Sequence, residues 1–287
     1  MHRSGNVELD LLEQLRGRRF AVLTGAGVST ESGIPDYRSP DAAARERKPI
    51  QGPEFVRSAA LRRRYWARAM AGWERFRLAR PGASHVALAE LEERGLVSGL
   101  VTQNVDRLHH AAGSRRVTEL HGALAEVVCL DCGVKDDRDA VQARMREQNP
   151  GWLDGPATMA TMARVAPVAP DGDAELPDSL IEAFVSPVCV QCGGVLKPNV
   201  VFFGHNVAKP VVDEAYAAVA RADALLVAGT SLAVFSGYRF LLRASELSIP
   251  IVIVNRGPVR GEERAAVKVE ASTGETLATI ARELRPA

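Results

Sequence analysis

The chain has 287 residues, of which 46% are hydrophobic and 25% charged, and its formal net charge is +1 at pH 7. A chain of this length can bury one large core and carry a smaller lobe beside it. The balanced charge excludes the strongly basic surface that is typical of nucleic-acid-binding domains, so we expect no nucleic-acid partner. The segment Met1–Gly17 is polar, and no apolar run reaches the roughly 18 residues of a membrane span, so we expect a cytoplasmic protein without a membrane partner.

Short apolar runs alternate along the chain with segments of helical periodicity. The predicted strands are Arg19–Thr24, Gly99–Thr102, Val117–Leu120, Ala224–Ala228 and Ile249–Val254. The predicted helices are Val7–Arg16, His85–Arg94, Val105–Ala112, Val211–Arg221 and Gly237–Glu246. Repeated βα units bury both faces of a parallel sheet, so this order predicts an α/β fold with a Rossmann-like, doubly wound parallel sheet.

Glycines follow the first predicted strand directly, in the run Gly25-Ala-Gly-Val-Ser29. Glycine lets the backbone turn tightly and approach a pyrophosphate, which then lies against the amide groups at the start of the next helix. Gly25 and Gly27 match the first two glycines of the dinucleotide-binding fingerprint, but Thr30 stands in place of the third. The missing glycine argues against an ordinary dehydrogenase that transfers hydride, and a tight turn that binds nothing remains the alternative.

Polar residues follow the first three predicted strands. They lie in Gly33-Ile-Pro-Asp-Tyr-Arg-Ser39, in Thr102-Gln-Asn-Val-Asp106 and in Leu120-His-Gly122. The carboxyl ends of parallel strands meet at one edge of a sheet, where open α/β sheets bind ligands, so we expect these side chains to converge. His121 lies in a strand-to-loop turn, and an imidazole that is neutral near pH 7 is suited to removing a proton from a hydroxyl group.

The chain's four cysteines form two pairs with the same spacing, Cys129-x-x-Cys132 and Cys189-x-x-Cys192. Two such pairs can close a tetrahedral cage of thiolates around Zn²⁺. Scattered buried thiols or two disulfides are the alternatives, but unrelated cysteines seldom repeat one spacing and no export signal indicates an oxidising compartment. The pairs are further apart than in a compact zinc ribbon, so the metal would hold the base of an insertion.

Two stretches interrupt the βα alternation. Residues 39–80 are helical and rich in arginine, and residues 126–196 contain the cysteine pairs and a run rich in Pro, Ala, Gly and Asp. We interpret them as a helical module and a zinc-binding module that together form the smaller lobe. The Rossmann-like domain is then expected to comprise residues 1–38, 81–125 and 197–287.

These motifs together resemble the sirtuins, a family of NAD-dependent protein-lysine deacylases, and the resemblance covers nearly the whole chain. Within the family the chain is similar to class II, the branch that contains a mitochondrial lipoamidase-type sirtuin and its bacterial relatives. Besides the motifs above, the resemblance is carried by Phe202-Phe-Gly204, Gly229-Thr-Ser-Leu232 and Val254-Asn-Arg256, and its class II part by Arg63-Arg-Tyr-Trp-Ala-Arg68, Gly113-Ser-Arg-Arg116 and Cys129-Leu-Asp-Cys-Gly133.

The resemblance implies a Rossmann-like domain that binds NAD, one structural Zn²⁺ on the four cysteines, and acylated-lysine proteins as substrates. The implied products are nicotinamide, O-acyl-ADP-ribose and free lysine. His121 would be the general base and Asn104 a second catalytic residue, whereas the other histidines, including His85 and His109, are expected to be structural or exposed. The implied NAD-binding residues are Gly25, Ala26, Gly27, Ser29, Ile34, Asp36, Tyr37, Arg38, Gln103, Asn104, Asp106, His121, Gly229, Thr230, Ser231, Asn255, Arg256 and Gly257.

The substrate side is expected in Val200–Gly204, an extended segment to which a peptide could add as a β-strand, with Val201, Phe202 and Phe203 as contacts. Tyr65 and Arg68 lie three residues apart on one helix face and resemble the Tyr-x-x-Arg with which desuccinylating sirtuins hold an acidic acyl group. A solvated, arginine-rich helix face is the equally weighted alternative. His205 replaces the acidic residue common at its position, and we expect a solvated loop residue there.

Other function classes use parts of the same pattern. A protein mono-ADP-ribosyltransferase would use the same NAD site but transfer the ribose to a protein side chain, and it is the nearest alternative. A nucleic-acid-binding zinc module would need a basic, aromatic-lined face, which the balanced charge does not support.

Overall fold

The computed structural model describes residues 4–37, 50–155 and 176–285, with side chains from residue 9 onward. The prediction for Arg38 and the first part of the expected helical module therefore lie outside the described residues. The chain divides into two compact units, the first formed by Met1–Gly33, Arg80–His121 and Val207–Ala287, the second by Ile34–Ala79 and Gly122–Asn206. No described helix has both the length and the apolar character that a membrane crossing requires.

The described residues form strands and helices in the following order along the chain. The strands are β1 Phe20–Thr24, β2 Val97–Thr102, β3 Val117–Glu119, β4 Gly122–Cys129, β5 Lys135–Asp137, β6 Leu196–Val200, β7 Ala224–Ala228, β8 Ile251–Val254 and β9 Val267–Val269. The helices are α1 Ser4–Leu15, α2 Gly52–Arg57, α3 Ala59–Arg77, α4 Ala83–Glu93, α5 Leu108–Ala111, α6 Arg138–Gln148, α7 Asp178–Glu182, α8 Lys209–Ala220, α9 Phe235–Glu246 and α10 Thr273–Glu283.

The first unit contains a six-stranded sheet in the order β3-β2-β1-β7-β8-β9. Its strands are parallel, and helices cover both faces, so the predicted doubly wound fold is confirmed. Alternate residues of β1 enter opposite cores, Phe20 and Val22 one and Ala21 and Leu23 the other. The chain reverses its direction of travel across the sheet between β1 and β7, which is the switch point where such sheets bind ligands.

The structure corrects three details of the sequence prediction in this unit. The helix predicted from Val105 begins only at Leu108, because Arg107 has a left-handed φ of 59° and the carboxylate of Asp106 accepts a hydrogen bond from the Leu108 amide at 2.9 Å. The strand predicted from Ile249 begins at Ile251, after Pro250, which has no amide to donate to the ladder. Strand β9 and helix α10 were not predicted at all.

The second unit contains a three-stranded antiparallel sheet in the order β5-β4-β6, with α2, α3, α6 and α7. Helix α3 begins where the Ser58 hydroxyl accepts a hydrogen bond from the Leu61 amide at 3.1 Å. Its buried face carries Trp66, which belongs to one core with Phe55 and with Cys129 of β4. Residues 122–125 and 197–206, which we expected in the Rossmann-like domain, lie in this unit because β4 pairs with β6.

Candidate functional site

Glycines bring the loops after β1 and β7 into direct contact. The Gly27 amide donates to the Gly229 carbonyl at 2.8 Å, and a Cβ added at Gly27 would lie 2.8 Å from the Gly229 Cα atom. A Cβ added at Gly25 would lie 2.6 Å from the Thr230 Cβ atom. No side chain larger than hydrogen fits at either position. The two glycines therefore let the loops after β1 and β7 pack directly against each other at the switch point, where open α/β sheets bind ligands.

A polar cluster lies beside the glycine loop, formed by Ser29, Asn104 and Asp106. The Ser29 hydroxyl donates to the Asp106 carboxylate at 2.7 Å and accepts from the Asn104 amide nitrogen at 3.0 Å. The Asn104 backbone amide in turn donates to the Thr102 hydroxyl at 3.1 Å. The side chains that the sequence places after separate strands thus meet at one point. Such a set of fixed donors and acceptors is suited to holding the hydroxyl groups of a ribose.

Gln103 connects this cluster to the loop after β7. Its side-chain amide donates to the Thr230 hydroxyl at 2.9 Å and to the Thr24 carbonyl at 3.2 Å. Two non-glycine residues nearby, Arg107 and Leu232, adopt positive φ values of 59° and 51°. Backbone strain of this kind concentrates at functional sites, where the surrounding structure holds it in place.

The His121 imidazole is held at both of its nitrogens. Nδ1 lies 2.9 Å from the Gln103 carbonyl oxygen, and Nε2 lies 2.8 Å from the Ser236 hydroxyl. Burial lowers the pKa of His121 below its ordinary value, and the hydrogen bond to Gln103 acts in the opposite direction. The imidazole is therefore neutral at pH 7, as a general base must be.

Two further histidines form a buried layer under the polar cluster. His85 and His109 lie with ring centroids 4.8 Å apart, and His85 Nε2 is 3.4 Å from the Ser29 hydroxyl. His109 Nε2 lies 2.9 Å from the Thr24 hydroxyl. Burial lowers the pKa of both rings, so they are neutral supports for the residues above them.

The remaining predicted NAD-binding residues of the first unit follow strands β7 and β8. Ser231 comes directly after Thr230, and its carbonyl accepts from the Arg260 amide at 2.9 Å. The Asn255 side chain donates to the Arg256 carbonyl at 2.8 Å and to the Gly257 carbonyl at 3.3 Å, which fixes the turn after β8. Both turns are at the carboxyl ends of parallel strands, on the ligand-binding edge of the sheet.

Three of the predicted NAD-binding residues lie at the start of the second unit. Ile34 is buried, Asp36 is partly exposed, and Tyr37 is 53% exposed. Arg38 lies beyond the described residues. Because these residues follow Gly33 directly, they continue the chain from the glycine loop, but they lie outside the unit that holds the polar cluster.

The four cysteine sulfurs of the second unit converge on one point, all within 4.8 Å of one another. The Cys129 sulfur lies 3.5 Å from that of Cys192, and the Cys132 sulfur lies 3.7 Å from that of Cys189. A tetrahedral Zn²⁺ with bonds of about 2.3 Å places its sulfurs about 3.8 Å apart, so the cluster fits this ion.

The same type of backbone turn encloses each of the two cysteine pairs. The Gly133 amide donates to the Cys129 carbonyl at 3.0 Å, and the Gly193 amide donates to the Cys189 carbonyl at 2.8 Å. Both glycines directly follow the second cysteine of their pair and have positive φ, 74° and 71°, a conformation that favours glycine. The Asp131 carboxylate accepts from the Val195 amide at 2.7 Å and ties one turn to the other.

Residues that are predicted to contact the substrate also lie close together in the second unit. The Tyr65 ring packs against Phe202 with centroids 5.6 Å apart, and Phe55 completes the group at 5.1 Å from Phe202. Phe203 pairs with Gln51 in an isolated parallel bridge. Arg68 follows Tyr65 by one helical turn and is partly buried, unlike its exposed neighbours Arg63 and Arg64.

His205 lies against Gly52, where an added Cβ would meet its ring at 2.4 Å. The sequence predicts a solvated loop residue, and the side chain is exposed, but its ring also packs on the start of α2.

Sequence reasoning missed two groups of residues at the site. Ser236 carried no signal, because a serine in the first turn of a helix is common and nothing local connects it to His121. The residues at the start of α10 did carry a sequence signal, because Ser272-x-x-Glu275 before an apolar run has the spacing of a helix-capping box. There the Thr273 hydroxyl donates to the Gly27 carbonyl at 3.3 Å, and Ser272 donates to the Glu31 carboxylate at 2.9 Å.

Comparison with known proteins shows what the chain is similar to. The profile of the Sir2 family matches residues 25–236. The human mitochondrial NAD-dependent protein lipoamidase sirtuin-4 is 49% identical over 266 residues, which cover 92% of this chain and 82% of the relative. The NAD-dependent protein deacetylase 1 of Mycobacterium avium strain 104 is 47% identical over 277 residues, which cover 96% and 95%.

Solved structures give the same result. A structure of Sir2 with a p53 peptide and NAD⁺ has a TM-score of 0.69 and 30% sequence identity, with 96% of each chain covered. A Sir2 variant with a deacetylated p53 peptide and 3'-O-acetyl-ADP-ribose has a TM-score of 0.74 and 29% identity, with 96% of this chain and 97% of that chain covered.

Proposed function

The chain belongs to the Sir2 family, an NAD-dependent protein deacylase family, and from this premise we propose which of its residues bind NAD, act as base and select the acyl group. The enzyme removes acyl groups from lysine side chains and releases nicotinamide, O-acyl-ADP-ribose and free lysine. The observation that carries the proposal is the His121 imidazole, held at both of its nitrogens at the edge of the sheet where β1, β2 and β3 end.

When bound, NAD supplies a ribose carbon whose nicotinamide leaves as the acyl-lysine oxygen attacks. We assign the pyrophosphate to the turn Gly25–Gly27, with Gly229 and Thr230 packed beside it. Ser29, Asn104 and Asp106 hold the nicotinamide ribose through the hydrogen-bond network that already joins them. The remaining contacts are assigned to Ile34, Asp36, Tyr37, Arg38, Gln103, Ser231, Asn255, Arg256 and Gly257.

His121 acts as the general base toward a ribose hydroxyl. The Gln103 carbonyl can only accept a hydrogen bond, so Nδ1 carries the ring proton and the lone pair is on Nε2. Nε2 is therefore the atom that takes the proton. General-base catalysis by a positioned side chain contributes roughly 10²–10⁴-fold to the rate.

The substitution His121→Ala tests this role. We expect deacylation of an acetyl-lysine peptide to fall by roughly 10²-fold or more, because the general base is lost. Zinc content should be unchanged and the fold retained, since His121 belongs to the first unit and the cysteine cluster to the second. Mass spectrometry of the products separates O-acyl-ADP-ribose from ADP-ribose attached to protein. Wild-type turnover by the variant contradicts the role, and ADP-ribosylated protein as the main product of the native enzyme contradicts deacylation.

The four cysteines bind one structural Zn²⁺. Four thiolate ligands leave no coordination position for water or substrate, so the ion holds the end of β4 and the segment before β6 together and takes no part in the reaction. Cys129 and Cys189 are buried and Cys132 and Cys192 are exposed, which places the ion at the rim of the second unit's core.

We assign the acyl side of the substrate site to Tyr65 and Arg68, together with Val201, Phe202 and Phe203. The packing of Tyr65 on Phe202 supports this assignment, because it joins the Tyr-x-x-Arg helix to the segment expected to receive the peptide. A guanidinium at Arg68 would pair with the terminal carboxylate of a succinyl or glutaryl group.

A comparison of acetyl-, succinyl-, glutaryl- and lipoyl-lysine peptides tests the acyl assignment. We expect Arg68→Ala to lower kcat/KM for the acidic acyl groups by about tenfold or more and to leave acetyl turnover within about twofold, since a charge-assisted hydrogen bond is lost only for the carboxylates. Arg64→Ala, on the same helix but exposed and paired with Asp178, is the matched control. A native preference for acetyl groups that Arg68→Ala does not alter contradicts the assignment.

The location of the protein in the cell stays a prediction. The human relative is mitochondrial by name, whereas the sequence itself predicts a cytoplasmic protein.

A further inference from the structure

Ser236 touches the proposed base at the nitrogen that takes the proton. Its hydroxyl lies 2.8 Å from His121 Nε2, although the two residues are 115 positions apart in the chain. Both belong to the first unit, so the contact lies within one compact body. The Gln103 carbonyl holds the opposite side of the ring at 2.9 Å. The imidazole is thus held at two points, one on each nitrogen.

The chemistry of the two contacts defines which group donates. Nδ1 donates to the Gln103 carbonyl, and neutral Nε2 then has only a lone pair, so the Ser236 hydroxyl donates to it. This hydrogen bond occupies the lone pair that must take the proton, so the ribose hydroxyl displaces the Ser236 hydroxyl from Nε2 when the substrate is in place. Ser236 therefore directs the lone pair of Nε2 before the proton is transferred, and its oxygen can accept from Nε2–H afterwards.

The helix that carries Ser236 is itself fixed on Gln103. Ser236 is in the first turn of α9, and a Cβ added at the next residue, Gly237, would lie 2.5 Å from the Gln103 side-chain oxygen. The absence of a side chain at Gly237 lets α9 rest directly on the residue that also holds Nδ1. The Ser236 hydroxyl and the Gln103 carbonyl are consequently fixed in position relative to each other.

We propose that Ser236 is a positioning residue that orients the His121 imidazole for proton transfer. The inference rests on the proposed function, in which His121 is the base. With Ser236 in place the ring cannot rotate about its Cβ–Cγ bond without breaking two hydrogen bonds. With alanine it is held by one, and its reactive nitrogen is no longer directed by the protein.

The first test uses the protein without NAD. Histidine-labelled protein is studied by NMR, with the His121 ring signals assigned by their loss in His121→Ala. We expect Ser236→Ala to move the Nε2 signal and to broaden the ring resonances, and Ser236→Thr, which keeps the hydroxyl, to reproduce the native signals. Ser245→Ala, on the same helix and far from His121, is the matched control. Identical His121 signals in native protein and Ser236→Ala overturn the proposal.

The second test measures catalysis. We expect Ser236→Ala to lower kcat for deacylation by about tenfold, because a misoriented base loses part of its contribution to the rate. The KM for NAD should be unchanged. Ser236→Thr should restore kcat, and the melting temperatures of all variants should agree. An unchanged kcat in Ser236→Ala, or equal losses in the alanine and threonine variants, overturns the proposal.

The two tests separate this inference from the proposed function. If His121→Ala deacylates normally, His121 is not the base, yet the NMR comparison still decides whether Ser236 orients its ring. If His121→Ala is inactive and Ser236→Ala is fully active, the base is correct and the positioning role is wrong.

Discussion

At the scale of single residues, the site is a set of side chains whose protonation and orientation are determined by burial and by main-chain partners. His121 is held by a carbonyl and a hydroxyl, and Ser29 by an amide and a carboxylate. His85 and His109 lie in a buried layer below. Each of these contacts joins residues from different strands or loops, so none of them exists before the sheet has formed.

The pH dependence of turnover follows from the lowered pKa of His121. A general base works in its deprotonated form, so kcat/KM should stay level at higher pH and fall as the pH drops through the pKa of His121. Because burial lowers that pKa, the fall should lie below the ordinary value of about 6.5. A pH profile of kcat/KM from about pH 5 to 8 measures it. An acid limb above the ordinary value would contradict the effect of burial.

At the scale of elements, the loops after β1 and β7 are locked together by backbone contacts, and α10 supports them from the side. The Gly27 carbonyl accepts from two hydroxyls, Thr30 at 3.0 Å and Thr273 at 3.3 Å, while its amide bonds Gly229. This glycine turn therefore needs no ligand to hold its shape, which would lower the entropic cost of binding the proposed nucleotide.

The substitution Gly27→Ala tests this close packing. Its Cβ would meet the Gly229 backbone at 2.8–3.0 Å, and because backbone cannot swing aside we expect the unfolding free energy to fall by about 1–3 kcal/mol. ADP-ribose binding, measured by calorimetry, should weaken strongly. Gly274→Ala is the comparison, since the nearest atoms to its Cβ, at 2.2–2.5 Å, belong to the Glu31 carboxylate, and this side chain can rotate away at the cost of its hydrogen bond from Ser272. Equal stability of Gly27→Ala and native protein would contradict the packing argument.

At the scale of the whole molecule, two units with different sheets share one chain that crosses between them repeatedly. The first has a large apolar core on each face of its sheet. The second has a three-stranded sheet and depends on the cysteine cluster to join β4 to the segment before β6. Metal binding energy of this kind is folding energy for the unit that supplies the ligands.

Removal of zinc should therefore unfold the second unit selectively. We expect Cys129→Ser, or prolonged chelation, to remove one equivalent of zinc and to abolish hydrogen-exchange protection in β4, β5 and β6, while β1, β2 and β7 stay protected. Deacylation should be lost as a consequence. Native protein reloaded with zinc is the control. Metal-free protein with normal melting and normal turnover would contradict a structural role.

Local patterns in the sequence determined much of the fold and the composition of the site. Buried strands such as Ala224–Ala228 are continuous apolar runs, and the βα alternation predicts a doubly wound sheet. The cysteine spacing predicts the metal cluster, and the glycines after β1 predict the tight turn at the switch point. These features depend on periodicity, turn chemistry and ligand spacing, which a short stretch of chain specifies by itself.

Tertiary structure alone decided which distant residues meet. The contact of Gly27 with Gly229, the pairing of β4 with β6 and the hydrogen bond of Ser236 to His121 join residues far apart in the chain. Strand β9, with three residues, is too short to show a pattern, and its place follows from pairing with β8. Long-range contacts depend on how all the elements pack at once, and that cooperative arrangement has no local signature in the sequence.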